Sequence, residues 1–453
     1  MNSSVRPAGP STHPALELIA LATLSPDIAR RNLRALLAAD PDHFGKLTAV
    51  ACKTILNIEK DNSYESIAGI GYNPVSQWIQ SIIALRQQRG YSGSHRSPVS
   101  VEYVRFYLSC DGGRSWQDQG MRAFDALNGE DPRPRDFAVT LRIRPRTKAN
   151  SPQAFQRVRA ILSWNAPPPA NEPHWTPIWG DMAEVEIRLE SSDSISEETL
   201  LEQPGIDFSS EIAPSDSTWT RETVTTGILS PAQLRELYGG NEIPEHRYLS
   251  ALLASMKTAS NREDLRASDW ENLRTTSLFD GIADIDLAQL IPKWLSTIDD
   301  ISYEQLECVG FDSSSSHLVA LINIKASVGY NGASSAAGST EFVAFWIDCG
   351  ERWNYVGTAK VRVHDRNQVQ MYGLCYSACL PFPASALPRI TGGRCTFRVR
   401  AVLSWNSPPS TESAYEAVTW GNTLDALVAV PAIQAIPQTS TAEAVPSFTA
   451  VTQ

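Results

Sequence analysis

Arginine is the residue type best placed for chemistry in the first half of the chain. Arg142 and Arg144 alternate along one predicted strand, and Arg157 and Arg159 alternate along another. If the two strands are neighbours, the four guanidinium groups share one face that could bind phosphate or an acidic protein. The interpretation we favour is plainer: a solvated face, or one neutralised by the chain's own acidic linker. The net charge of −11 disfavours nucleic acid as a partner.

A proline-rich loop holds the second group of candidates. Residues 166–178, APPPANEPHWTPI, follow a predicted strand and include Asn171, His174 and Trp175. End loops of a sandwich commonly form its binding surfaces, and proline lowers the entropic cost of ordering such a loop on binding. We therefore predict that these three residues contact a partner. The alternative is that the aromatic and proline residues only shape the loop.

Two cysteines and a histidine–aspartate pair are weaker candidates for a metal-binding or catalytic site. Cys375 and Cys379 lie four residues apart on a predicted strand, whereas zinc sites usually take pairs of ligands from turns. His364–Asp365 aligns with Phe124–Asp125 in the first half, so the aspartate is shared and the histidine is not. We predict a strand-end aspartate here and no metal ion.

A third pattern indicates a structural hairpin. Ser109–Trp116, SCDGGRSW, fits the Asp-box pattern, in which Asp-Gly forms the turn and the tryptophan packs beneath it. The sequence has no phosphate-binding loop, dinucleotide fingerprint or H-E-x-x-H motif. We predict no catalytic residue and no cofactor.

The chain contains one pattern twice, which identifies an internal duplication. RVRAILSWN at 157–165 returns as RVRAVLSWN at 398–406, about 240 residues later along the chain. Four more pairs keep this spacing: Tyr64–Glu65 and Tyr303–Glu304, GYSG at 90–93 and GYNG at 329–332, EYVRF at 102–106 and EFVAF at 341–345, and Trp179–Gly180 and Trp420–Gly421.

Within each copy the hydrophobic pattern has a period of two, which is typical of half-buried antiparallel strands. Seven strands are predicted in the first copy, at about 64–71, 77–87, 100–109, 116–126, 135–145, 155–164 and 179–189, and the same number in the second. Ser-Pro helix starts at Ser25 and Ser230 indicate helices at about 14–45, 230–239, 244–257 and 284–297. The predicted fold is mainly β with helical segments: two tandem immunoglobulin- or fibronectin-like β-sandwiches, each preceded by an α-helical segment.

The predicted domain order follows from these patterns. Residues 190–222 carry nine acidic residues against the single base Arg221, which is typical of a solvated linker. The units are a helical segment at 1–63, a first sandwich at 64–190, an acidic linker at 191–227, a helical segment at 228–302, a second sandwich at 303–430 and a flexible tail at 431–453.

Composition limits the class of protein. The 453 residues are 42% hydrophobic and 20% charged, which is typical of globular domains. No apolar run reaches the length of a membrane span, and the N-terminus lacks the pattern of a secretory signal. The seven cysteines are an odd number and mostly not duplicated, so reduced thiols in a cytoplasmic protein are predicted.

The repeated motifs resemble those of a functionally uncharacterised bacterial family with paired immunoglobulin-like domains. The resemblance rests on the Tyr-Glu entry strand, the GY-x-G loop before E-[YF]-V, and RVRA-x-LSWN-x-PP followed by Trp-Gly-[Asn/Asp]. It covers roughly residues 64–189 and 303–430. It implies the sandwich fold and carries over no catalytic residue.

The sequence therefore favours a non-enzymatic protein-binding or scaffold protein, a component of a bacterial multi-protein system. Its expected partners are other proteins or a second copy of the chain, without a membrane. The first alternative is an enzyme, or an enzyme subunit, with a site between the sandwiches and the helical segment, lined by His174, Asp365 or Cys379. The second is a carbohydrate-binding module that uses exposed Trp175 or Tyr415.

Overall fold

A computed structural model shows a mainly β protein with short helices. The structure describes residues 30, 60–91, 100–129, 131, 133–143, 155–189, 229–240, 242–253, 285–333, 336–348, 350, 352–366, 373–382 and 396–430. The predicted helix at 14–45, apart from helical Arg30, lies outside these residues. So do the acidic linker at 191–227 and the tail beyond Val430.

The described part of each repeat forms seven strands, as the period-two pattern predicts. The first has β1 (Glu65–Asn73), β2 (Trp78–Leu85), β3 (Ser100–Ser109), β4 (Gln117–Ala126), β5 (Arg135–Arg142), β6 (Gln156–Trp164) and β7 (Gly180–Ile187). The second has β8 (Glu304–Asp312), β9 (His317–Ile324), β10 (Ser339–Asp348), β11 (Trp353–Val363), β12 (Leu374–Pro381), β13 (Thr396–Trp405) and β14 (Thr423–Ala429).

The strands of each repeat form two antiparallel groups that share one core. In the first repeat β1, β2 and β5 pair in one group, while β4, β3, β6 and β7 pair in the other. The second repeat has the same order, β8–β9–β12 and β11–β10–β13–β14. Apolar side chains from both groups meet in the core of each repeat, as in a sandwich.

This strand order corrects the expected basic face. Arg142 ends β5, which pairs with β2, whereas Arg157 and Arg159 lie on β6 between β3 and β7. The expectation that the two strands are neighbours is wrong. Although β5 and β6 follow each other along the chain, they belong to different antiparallel groups. Arg144 lies outside the described residues.

The described residues before the second repeat include three helices: α1 (Pro231–Tyr238), α2 (Glu245–Tyr248) and α3 (Leu287–Ser296). Helix α1 begins with the predicted capping box, in which Ser230 and Gln233 bond to each other's backbone. The three helices bury a common apolar cluster that includes Leu234, Leu249 and Trp294. None of the helices in the described ranges is long and apolar enough to cross a membrane.

The two repeats contact each other directly, with equivalent residues on both sides. Tyr72 of β1 pairs with Tyr376 of β12, and their counterparts Phe311 of β8 and Phe137 of β5 pair in the same way. Glycine lets the backbones meet: a Cβ at Gly71 would lie 2.7 Å from the Tyr376 carbonyl oxygen. This is the pattern of a two-fold interface within one chain.

We expect Gly71→Ala to lower the free energy of unfolding by about 1–3 kcal/mol, because the added methyl group meets backbone that cannot move aside. Gly69→Ala is the matched control, since its Cβ would meet only the Cys308 Sγ and a Leu321 methyl group, each at 3.0 Å. Chemical denaturation of both variants measures the difference. Equal losses would contradict the role assigned to close backbone contact.

Candidate functional site

A buried arginine from the helical segment lies at the centre of the residues that the repeats share. Arg247 of α2 is fully buried, and four aromatic rings of the second repeat surround its guanidinium group. The guanidinium carbon lies 3.6 Å from the ring centroid of Tyr303, 4.1 Å from Trp405, 4.8 Å from Trp420 and 5.4 Å from Tyr330. Each contact is a cation–π geometry, which is stronger away from water.

Polar contacts fix the same guanidinium group. Its Nη1 and Nη2 donate to the two carboxylate oxygens of Glu304, at 3.1 and 2.8 Å. Its Nε donates to the Gly329 carbonyl oxygen at 3.3 Å. A two-pronged pair of this kind fixes the orientation of the group as well as its charge.

The first repeat builds the same site around Arg30. Its guanidinium Nη2 donates to both oxygens of Glu65, at 2.6 and 2.8 Å, and Nη1 donates to Gly90 O at 2.9 Å. The surrounding rings are Trp164 at 3.9 Å, Tyr64 at 4.1 Å, Trp179 at 5.1 Å and Tyr91 at 5.6 Å. We call these two sites the arginine cages.

The cages explain why the shared motifs are spaced so widely along the chain. Tyr-Glu opens the first strand, GY-x-G precedes the third, Trp of LSWN ends the sixth, and Trp-Gly opens the seventh. In the second repeat Tyr330 also donates from its hydroxyl to Tyr303 O at 2.7 Å, which ties two walls together. Gly329, with a φ of +101°, leaves room for the Tyr303 ring, which a Cβ would approach to 2.9 Å.

Sequence reasoning interpreted these motifs as the specification of a sandwich and missed the arginine. The available signal was an arginine in each helical segment, beside two repeated acids and four repeated aromatic residues. The first segment contains adjacent arginines at 30 and 31, however, and no spacing rule selects one of them.

Each cage also contains a second, buried glutamate. Glu102 and Glu341, from the EYVRF and EFVAF motifs, are fully buried, and neither carboxyl oxygen has a hydrogen-bond partner among the described residues. Burial raises the pKa of Glu341 well above its usual range, and the nearby charge of Glu304 adds to this. Burial and the charge of Glu65 do the same to the pKa of Glu102. Burial therefore favours the protonated form of these two side chains, whereas Glu65 and Glu304 pair with arginine.

Of the predicted basic residues, Arg159 has its own contacts within the first repeat. It donates to Glu184 through Nε at 2.9 Å and to Pro173 O at 2.6 Å, and its guanidinium lies 4.2 Å from the Trp116 ring centroid. Arg157 reaches Glu186 at 3.5 Å, and Arg142 is exposed. The charges of Arg159 and Arg157 are therefore neutralised by Glu184 and Glu186 of β7.

The second repeat holds its own loop in the same way. Arg400 donates through Nε to Asp425 at 2.7 Å and through Nη1 to Ala414 O at 3.1 Å, and it lies 4.7 Å from the Trp353 ring centroid. Ala414 and Pro173 occupy equivalent places in the two end loops. The second arginine of RVRA therefore fixes the end loop in both repeats.

The three predicted loop candidates lie in the end loop of the first repeat, and one of them, His174, contacts Arg159. His174 is exposed, and its Nδ1 lies 3.1 Å from Arg159 Nη1. Asn171 is also exposed, and its backbone amide donates to Asp118 Oδ2 at 2.9 Å. Trp175 is half-buried.

The histidine–aspartate pair has a structural role, and its predicted alignment is wrong. Strand pairing places Val361 opposite Glu341, as Phe124 lies opposite Glu102, so Asp365 corresponds to Asn128 and not to Asp125. Accordingly, Asp365 Oδ1 accepts from the Tyr330 amide at 2.7 Å, as Asn128 Oδ1 accepts from Tyr91 at 3.0 Å. Asp365 therefore supports the GY-x-G loop. Burial lowers the pKa of His364 to about 4, so its ring is uncharged at neutral pH.

Cys379 contacts the opposite repeat, since its Sγ lies 2.7 Å from the Gln80 side-chain oxygen. Burial raises the pKa of Cys375 and of Cys379 to about 12, so both are thiols. Within the described ranges no cluster of three or more His, Cys, Asp or Glu side chains could hold a metal ion.

The Asp-box segment is a hairpin turn, as predicted. Asp111 accepts hydrogen bonds from the backbone amides of Arg114 and Ser115 at 3.0 and 2.9 Å. Hydrogen bonds from Ser115 above all hold the pKa of this carboxyl below its usual range. Gly112 and Gly113 take positive φ values of 75° and 94°.

We expect Arg247→Ala to lower the free energy of unfolding by about 3–5 kcal/mol, because it leaves Glu304 buried without its counter-charge. In a double-mutant cycle, adding Glu304→Ala should cost less than it does alone. Arg362→Ala, at an exposed position of β11, is the control and should change stability by less than about 0.5 kcal/mol. Additive losses in denaturation experiments would contradict a coupled pair.

Glu341→Gln should stabilise the protein increasingly as the pH rises above about 5. A carboxyl group whose pKa is raised in the folded state stabilises the fold fully at pH values below its unfolded pKa. This stabilisation is lost as the pH rises toward the pKa of the folded state. The amide resembles the neutral acid and does not ionise. Denaturation at pH 5 and pH 8, with the exposed Glu416→Gln as control, measures the effect. A variant that destabilises equally at both values would show that Glu341 is ionised.

No protein-family model matches the chain, and a search of curated proteins finds no match either. Among solved structures, a hypothetical protein from Pyrococcus horikoshii OT3 is 13% identical, covers 29% of this chain and 96% of its own, and has a TM-score of 0.16. MtrC from Shewanella baltica OS185 is 10% identical over 80% of this chain and 70% of its own, also with a TM-score of 0.16. A superoxide reductase (neelaredoxin) from Ignicoccus hospitalis is 18% identical over 26% and 77%, with a TM-score of 0.14. Similarity this low does not bear on function.

Proposed function

We propose that the protein is a non-enzymatic protein-binding scaffold made of two immunoglobulin-like modules. Each module binds its helical segment through an arginine cage. The proposal rests on where the shared and the unshared residues lie in the structure. Residues that the repeats share line the cages, whereas the unshared loop residues Asn171 and His174 are exposed and Trp175 is half-buried. Shared chemistry serves the module itself, and the differences face outward.

The end loops suit this function because the body of each repeat holds them in place. Arg159 and Arg400 each tie a loop carbonyl oxygen to an acid of the last strand. A loop that is already ordered loses less entropy when it binds. We propose that the loop at 166–178 binds a protein through Asn171, His174 and Trp175, in a cytoplasmic bacterial assembly.

The cages support a scaffold in a second way. In the second repeat the helices α1 to α3 form one apolar cluster, and Arg247 and Tyr303 link that cluster to the sheets. The helical arm and the sandwich thereby form one unit. Such a unit can present helix and loop surfaces in a fixed relation to a partner.

The two alternatives predict different observations. An enzyme would need convergent polar groups at a cavity, yet His174, Asp365 and Cys379 lie in three separate places. A carbohydrate module would use the Tyr415 ring, which is 75% exposed but has the guanidinium of Arg400 4.8 Å from its centroid.

The full-length chain, tagged and mixed with a lysate of its source cells, tests the proposal. We expect cross-linking and mass spectrometry to place a stoichiometric protein partner on residues 166–178. His174→Ala with Trp175→Ala should weaken its binding about 30-fold, corresponding to a loss of about 2 kcal/mol at a hot spot. Glu236→Ala, exposed on α1, is the control and should bind normally.

Circular dichroism establishes that the loop variant folds. Undiminished capture by a folded loop variant would overturn the assigned surface. Turnover of a substrate by the purified protein would overturn the non-enzymatic function.

A further inference from the structure

Each repeat presents one end surface, and the two surfaces are equivalent in position but not in charge. The first end surface is made of Lys60 and the loop at 166–178, and the second is made of residues 295–301 and the loop at 407–419. The Lys60 amide donates to Pro177 O at 2.8 Å, and the Asp299 amide donates to Val418 O at the same distance. Both residues are exposed and take positive φ values, 57° and 50°. One surface therefore has a lysine where the other has an aspartate.

The two end loops differ in the same direction. They have equal length, so each position in one loop has a counterpart in the other. Two acids of the second loop, Glu412 and Glu416, are exposed. The first loop has asparagine and tryptophan at these positions, and its exposed acid is Glu172. With Asp299 the second end surface has three negative charges, whereas on the first Lys60 balances Glu172.

The second end surface is also the more apolar of the two. Seven large apolar side chains are exposed among the described residues, and four of them lie here: Leu295, Ile298, Ile301 and Tyr415. The Tyr415 side chain is 75% exposed and that of Ile298 59%. The other three follow one another at intervals of three from the end of α3 toward β8, and Asp299 bonds this segment to the loop. Exposed apolar groups bordered by charge are typical of an interaction surface.

Contacts inside each repeat order these surfaces before they bind. The guanidinium carbon of Arg400 lies 4.8 Å from the Tyr415 ring centroid, and its Nη1 donates to Ala414 O at 3.1 Å. Arg159 holds the first loop in the equivalent way, through Pro173 O at 2.6 Å. Surfaces that are already ordered lose less entropy when they meet.

We propose that the first end surface of one copy of the chain binds the second end surface of another copy. The inference rests on the proposed protein-binding function of the first loop, and it identifies the partner as a second copy. Ile178 of the first surface, 39% exposed, packs against Ile298 and Tyr415 of the second. Lys60 supplies a positive charge to a surface whose exposed acids have no such neighbour in the loop itself.

The charges favour contact between unlike surfaces. Two second end surfaces would bring together three carboxylates from each copy, and like-charge repulsion disfavours that pairing. Two first end surfaces would meet without this repulsion, but also without the apolar side chains at the end of α3. A contact between unlike surfaces leaves one of each kind free on the dimer. Further copies then add until a ring closes or an open chain forms.

Analytical ultracentrifugation of the full-length chain tests the proposal. We expect the average mass of the wild type to rise with concentration, and less steeply at high salt, because salt screens the charges. Lys60→Asp should weaken self-association about tenfold, since it adds a fourth carboxylate to the contact. Asp299 already adopts the same backbone conformation, so aspartate is compatible with the fold. Arg142→Asp, at the exposed end of β5, is the charge-matched control and should associate like the wild type.

A mixture of two variants distinguishes this contact from any other. Ile298→Ser with Tyr415→Ser removes exposed apolar groups from the second surface and should also weaken self-association about tenfold. This variant keeps an intact first surface, and Lys60→Asp keeps an intact second surface. Their equimolar mixture should therefore form a 1:1 dimer with about the wild-type affinity, and this dimer should not grow.

Circular dichroism establishes that each variant folds. A wild-type chain that stays monomeric at about 100 μM, or a mixture that associates no better than each variant alone, would overturn the proposal. If the wild type stays monomeric while its first loop captures a different protein, the second copy is the wrong partner and the protein-binding function holds.

Discussion

The burial of one guanidinium group in each repeat constrains the rest of the structure. A charged arginine leaves water only when a counter-charge, hydrogen-bond acceptors and polarisable rings replace it. Arg247 obtains them from Glu304, Gly329 and four aromatic rings. These residues lie at the start of the first strand of the repeat, at the end of the sixth, shortly before the seventh and on the loop before the third. All of these positions must be correct at once, so the cage links the helical arm to the whole sandwich. The same requirement explains why these residue types return together in the other copy.

The sandwich itself could be predicted from local pattern. Alternation of apolar and polar residues located the seven strands of the first repeat, because each strand buries one face and the period is set by the backbone. The Ser-Pro start at Ser230 likewise located α1. The duplication predicted the same number of strands for the second repeat, and the structure confirms the mainly β fold.

The cages could not be predicted in that way, because they depend on which strands become neighbours. Arg142 and Arg157 lie close in sequence and belong to different groups, whereas Tyr303 and Trp420 are more than a hundred positions apart and their rings touch. The period-two pattern predicts which side chains lie on the same face of a strand. It does not predict which strands pair or which faces pack together. The alignment of Asp365 failed for a related reason, since only the pairing of β10 with β11 fixes its register relative to Asn128.

The cage also bears on why the chain retains a costly interaction in both copies. Apolar residues of similar volume often replace a buried ion pair with no loss of stability, so stability alone is a weak explanation. Apolar contacts are not directional, however, so an apolar side chain could occupy several positions along an apolar groove. A guanidinium group makes all of its hydrogen bonds in only one position. At Arg247 the carboxylate fixes two nitrogens and the Gly329 carbonyl fixes the third, which sets both the depth and the rotation of α2. The cage therefore defines a single register between helix and sheet, and the proposed scaffold function depends on that register.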